Sequence, residues 1–227
     1  MEDFDVRLRH PFTSIVSGPT MSGKTSWISK LLGNMHHIDT DISDIVLCYG
    51  EWQPAYEKLP ARFIQGMIDP DELDASVPHL VIIDDLMDSQ DKRIETFFTR
   101  IAHHRNCSVI YIVQNLFNQS KGHRTCSLNC QYLIVFKSPR DVSQIRFLER
   151  QMFPGKKNFL IDSYNDATEQ PYHCLFIDLK PDTPTQYRIR GRVLDEESQD
   201  VYVPKDYKHG KNTSQETFTT SASFGSR

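Results

Sequence analysis

The chain alternates short apolar runs with amphipathic stretches. Phe12–Ser17 (FTSIVS) is a β-branched run ending at Gly18 and predicts a buried strand. After a glycine-bearing turn comes Thr25–Leu32, where Trp27, Ile28, Leu31 and Leu32 recur at helical spacing before Gly33-Asn34 ends the helix. Asp44–Gly50 (DIVLCYG) predicts a second strand. Gln53–Met67 is broken by proline, with room for a short strand at Arg62–Gln65, and Asp69–Leu73 predicts a short acidic helix. His79–Asp84 (HLVIID) and Cys107–Val113 (CSVIYIV) are near-continuously apolar, as strands covered on both faces must be.

Between those two strands, Lys92–His104 predicts a helix with Ile94, Phe97, Phe98 and Ile101 on one stripe. Asn118–Asn129 is polar and reads as a loop or short helix. Gln131–Phe136 predicts a strand, Asp141–Met152 and Phe159–Ala167 predict helices, and Tyr172–Leu179 and Tyr187–Val193 predict two late strands. Strands alternating with helices imply an α/β fold with a mainly parallel sheet sandwiched by helices. Residues 1–194 read as one domain and residues 195–227 as a polar tail, whose low-complexity end predicts disorder.

Composition narrows this picture. With 38% hydrophobic residues, a packed core is within reach. The apolar runs are strand-sized, so no membrane span is expected. The start, MEDFDVRLRH, has no apolar segment of the secretory kind. Cys48, Cys107, Cys126, Cys130 and Cys174 are an odd set and read as reduced thiols of an intracellular protein. His123, Cys126 and Cys130 are off the usual zinc spacing and read as small buried side chains. The net charge of −4 is unevenly spread: residues 91–157 hold 12 Lys and Arg against 4 Asp and Glu. A basic face is one reading and a solvated helical surface another.

The sharpest chemical signal is Gly18-Pro19-Thr20-Met21-Ser22-Gly23-Lys24-Thr25, which fits G-x-x-x-x-G-K-[ST] between a predicted strand and a predicted helix. Glycine at 18 and 23 lets the backbone curl its N–H groups inward, and the following helix presents its positive end. The expected ligand is ATP with Mg²⁺, bound by residues 18–25 and Ser26. Lys24 would sit on the β/γ-phosphates and Thr25 on the metal. His79–Asp84-Asp85 reads as a Walker B strand, with Asp84 as metal carboxylate and Asp85 as the base orienting water. Cys107–Val113 ends in Gln114, an amide able to sense the γ-phosphate if its strand neighbours the other two.

These three elements, HPFTSIVSGPTMSGKTSWISKLL, HLVIIDDLM and FFTRIAHHRNCSVIYIVQNLFNQ, resemble the FtsK–HerA superfamily of P-loop ATPases, of the additional-strand, RecA-like type. Within it they are most similar to DNA-packaging ATPases of poxvirus-like viruses, Polinton-type elements and adintovirus-like relatives. The resemblance covers about residues 10–155. It implies a homo-oligomeric ring of five or six subunits that translocates double-stranded DNA into a capsid. Portal or vertex proteins would be partners, and the site of action a host nucleus, a cytoplasmic assembly site or the virion. It also implies that Arg105, or else Arg100, acts across a subunit interface as an arginine finger. Lys121, Arg124, Lys137, Arg140, Arg146 and Arg150 are the candidate DNA contacts, with Lys121–Arg124 as the candidate pore loop. Two other classes share the P-loop: a nucleoside or nucleotide kinase, and an ATP-gated interaction module.

Overall fold

The computed structural model describes residues 4–84, 86, 92–116, 121–196, 198–205 and 207. Nine strands form one sheet: β1 (Thr13–Ser17), β2 (Asp44–Tyr49), β3 (Arg62–Gln65), β4 (His79–Asp84), β5 (Cys107–Val113), β6 (Tyr132–Phe136), β7 (Cys174–Asp178), β8 (Ile189–Gly191) and β9 (Asp200–Tyr202). Their order is β3-β2-β4-β5-β1-β6-β7-β8-β9. The pairs from β3 to β6 are parallel, and the last three pairings are antiparallel.

The alternation of side chains across the sheet makes two apolar layers. On one face Leu80, Ile82, Ile110, Ile112 and Val16 meet Trp27, Ile28, Leu31 and Leu32 of α1 (Lys24–Gly33). On the other, Val81, Ile83, Val109 and Ile15 meet four helical segments. These are the run beginning at α2 (Lys92–Thr96), then α4 (Lys121–Leu128), α5 (Ser143–Met152) and α6 (Phe159–Ala167). After α2 the run passes through a π-helical turn, Phe97–Ile101, into one further turn, α3 (Ala102–His104). That turn keeps Phe97, Phe98 and Ile101 all buried. No helix among the described residues is long and apolar enough to cross a membrane.

Several expectations shift at the edges. Asp69–Leu73 makes only a single 3₁₀ turn, Pro70–Glu72, closed by a capping box between Asp69 and Glu72. Lys121–Arg124 is not a loop but the first turn of α4, because His123 and Cys126, three positions apart, are both buried against the sheet. Past residue 194 the sheet continues: β9 pairs with β8, tied by a bidentate ion pair from Arg192 to Asp200. Residues 208–227, the bulk of the tail, lie outside the described residues.

Candidate nucleotide site

The parallel register brings the chemistry of three strands to one end of the sheet. Ser17 is level with Val113, and Asp84 with Ile112, the partner of Val16. Strand β5 therefore lies between the strand that enters the P-loop and the strand that ends in Asp84. Gln114 follows directly on Val113 and is exposed at that same end. The Gly18 N–H donates to Val113 O at 3.2 Å, joining the start of the loop to the end of β5.

The loop itself needs its glycines. A Cβ at Gly18 would lie 2.7 Å from Phe136 Cβ and 2.6 Å from Ser22 Oγ. Gly23 has φ of 109° and caps α1 with no side-chain acceptor, and no acidic residue stands in the first helical turn. The N–H groups of that turn are thus left for an anion. The Lys24 ammonium donates to Gly18 O at 2.6 Å and Pro19 O at 2.9 Å, folded onto its own loop. Ser22 Oγ is buried without a hydrogen-bond partner among the described residues. Such a group costs free energy until an acceptor or donor arrives. A cradle too tight for side chains, an orphaned hydroxyl and an uncapped helix suit a polyphosphate. Pro19, Thr20, Met21, Thr25 and Ser26 complete the loop and first helical turn; Met21 is also left-handed, at φ 64°.

Asp84 is only 6% exposed. Its Oδ2 accepts from the Tyr56 hydroxyl at 2.8 Å. Tyr56 stands on a 3₁₀ turn, Pro54–Lys58, and is fully buried among Tyr49, Trp52 and Phe63. Nothing in the spacing of a proline-broken segment points to this partner; only the β2–β4 pairing, which sets Tyr49 beside Asp84, brings it near. The Asp84 carboxylate and the Thr25 hydroxyl are an all-oxygen pair of the kind magnesium prefers. Asp85 lies outside the described residues.

Arg105 stands elsewhere. It stands two residues before β5, so the length of that seven-residue strand, about 20 Å at the usual rise, separates it from the loop. Its guanidinium pairs with Asp71 at 2.5 Å and reaches Leu73 O at 3.5 Å. Arg100, on the preceding π turn, opens onto the same groove beside Asp69 and Asp71. Neither can serve the P-loop of its own chain. Of the proposed DNA contacts, Arg124, Lys137, Arg140, Arg146 and Arg150 are all exposed. Arg190, on β8, is structural: it is buried over the Phe176 ring at 4.5 Å and donates to Val6 O, and burial lowers its pKa to about 10. His123 is hydrogen-bonded through Nε2 to Leu116 O at 2.6 Å, and burial lowers its pKa.

A mainly parallel sheet with one strand interposed between P-loop strand and acidic strand, and helices on both faces, defines an α/β fold of the additional-strand P-loop type. No protein-family model matches the chain, and no curated protein does. Among solved structures it is similar to B204, the DNA-packaging ATPase from Sulfolobus Turreted Icosahedral Virus. The TM-score is 0.48 at 10% sequence identity, over 86% of this chain and 98% of that one.

Proposed function

We propose that this chain is an ATP-hydrolysing motor that moves double-stranded DNA, working as a ring in the packaging of a viral or virus-like genome. One observation carries the ATPase reading. The P-loop with Lys24 and Thr25, the Asp84 carboxylate and the Gln114 amide lie at one end of three adjacent central strands of the sheet. The resemblance of those same segments to packaging ATPases of the FtsK–HerA superfamily supports the motor reading, as does the basic bias of residues 91–157.

In this reading the loop N–H groups and Lys24 bind the phosphates, with the ammonium leaving Gly18 O and Pro19 O for them. Thr25 and Asp84 would hold Mg²⁺, which supplies positive charge to the phosphate oxygens. Tyr56 holds Asp84 in place. Gln114 donates toward the terminal phosphate and accepts from water, and Asp85 is the base that orients that water. Arg105 acts on the nucleotide of a neighbouring subunit after leaving Asp71. Exposed Lys and Arg contact DNA phosphates without reading bases, so binding weakens with salt.

The test is ATP turnover with and without long duplex DNA. Duplex should stimulate turnover in the wild-type chain. Lys24→Ala should lower it by about two orders of magnitude or more, the usual effect of removing a charge-stabilising donor. Normal turnover by Lys24→Ala would refute the nucleotide site. Phosphate transfer to nucleosides in place of duplex stimulation would refute the motor and favour a kinase.

A further inference from the structure

The turn that leads into β7 carries an anomaly. His173 N–H donates to Gln170 O at 3.3 Å, closing the turn Gln170-Pro171-Tyr172-His173. Proline occupies its second position and Tyr172 its third, at φ 67°. This is the pattern of a type II turn, whose third position belongs to glycine or asparagine. A bulky aromatic is therefore held in the left-handed region, and its side chain is left 66% exposed. Strain of this kind persists where the surroundings impose it, and it gathers at ligand clamps.

Its location is specific. The antiparallel register of β7 on β6 sets Cys174 opposite Phe136, at the P-loop end of the sheet. There Tyr172 abuts the loop: a Cβ placed on Gly23 would lie 3.0 Å from Tyr172 Cβ and 3.1 Å from its ring atom Cδ1. The two strands carrying Asp84 and Gln114 lie on the other side of β1. A nucleoside triphosphate with its reacting end toward Asp84 and Gln114 must direct its nucleoside away from them, over β6 and the start of β7. That is where the exposed ring stands.

We infer that Tyr172 is the stacking platform for the nucleobase, resting on the P-loop reading above. The ring offers a flat face and no base-specific hydrogen-bond pattern, so it grips purines by area and tolerates their substituents. Its strained backbone fixes the ring beside the loop before nucleotide arrives.

The experiment compares binding of Mg–ATP with binding of Mg–tripolyphosphate, which has the phosphates and no base. Tyr172→Gly is the chosen variant, because glycine is the residue that turn position favours and the variant should melt no lower than wild type. Base–aromatic stacking lost on alanine substitution corresponds to about 5- to 160-fold in affinity. ATP binding should weaken by that much, and tripolyphosphate binding should stay within about twofold. Tyr172→Trp should restore ATP binding, with its fluorescence quenched by ATP and not by tripolyphosphate. ATP affinity unchanged in Tyr172→Gly, or equal losses for both ligands, would overturn the inference while leaving the P-loop reading intact. A wild-type chain that binds neither ligand would overturn both.

Discussion

Removing one hydroxyl, by Tyr56→Phe, isolates the contact that fixes Asp84. The ring is unchanged, so the packing against Tyr49, Trp52 and Phe63 stays and no cavity of consequence opens. What goes is the 2.8 Å hydrogen bond to Oδ2 of a carboxylate that is 6% exposed. Hydrogen bonds to charged groups contribute about 1.5–3 kcal/mol, and a buried acceptor left short of a donor forfeits that amount. Taking about 2 kcal/mol, and about 2–4 °C per kcal/mol for a domain of this size, the melting temperature should fall by about 4–8 °C. The second readout is magnesium. A carboxylate that has lost its orienting partner typically loses about 10- to 100-fold in metal affinity. The magnesium concentration for half-maximal ATP turnover should rise accordingly. Thermal melts and a magnesium titration on Tyr56→Phe, Asp84→Asn and the double variant complete a cycle. The two substitutions should be strongly non-additive. A melting temperature within 1 °C of wild type, or additive effects, would show that the hydroxyl does not hold the carboxylate.

Three more outcomes are expected. Gly18→Ala should destabilise the fold and abolish nucleotide binding, because the new Cβ meets Phe136 Cβ at 2.7 Å; a melt together with an ATP titration checks it, and wild-type binding would contradict the cradle. Lys24→Ala and Arg105→Ala should each be inactive alone yet regain part of the turnover when mixed, since a Lys24→Ala subunit can lend its Arg105 to the intact P-loop of an Arg105→Ala neighbour; no recovery in mixed assemblies would sink the trans role of Arg105. Burial pushes the thiols of Cys107, Cys126 and Cys174 up to about 12 from 9.0. Each is neutral in the fold, so its stabilisation is complete below pH 9 and is lost as pH rises from there toward 12. Melting temperature should be level from pH 7 to 8.5 and drop above pH 9, and a level profile to pH 11 would contradict this.

Much of the architecture is written in local pattern. Short apolar runs such as His79–Ile83 and Cys107–Ile112 fit strands covered twice, and the Trp27–Leu32 spacing fits a helix with one buried face, as found. The P-loop is equally local, since one turn must supply all its N–H groups. What escapes the sequence depends on register and on long-range packing. Tyr56 meets Asp84 only because β2 and β4 pair in one particular alignment. Tyr172 meets Gly23 only because β7 returns antiparallel beside β6. Helix α4 is hidden because its apolar contacts are a histidine, a glycine against Glu95 and a cysteine, none of which makes a hydrophobic stripe. Strand β9 has only three residues, all half-buried, and draws its order from the Arg192–Asp200 pair as much as from its own composition.

Strand β5 is hydrogen-bonded on both sides, to β1 and to β4, along nearly its whole length. Such a segment cannot bend or slip without tearing two ladders, so it behaves as a stiff pushrod with Gln114 at its tip and Arg105 at its heel. In the ring proposed above, the tip would face the subunit's own nucleotide and the heel the next one's. If that ring forms, loss of a phosphate at one site would be felt at the next as a shift of a single rigid part.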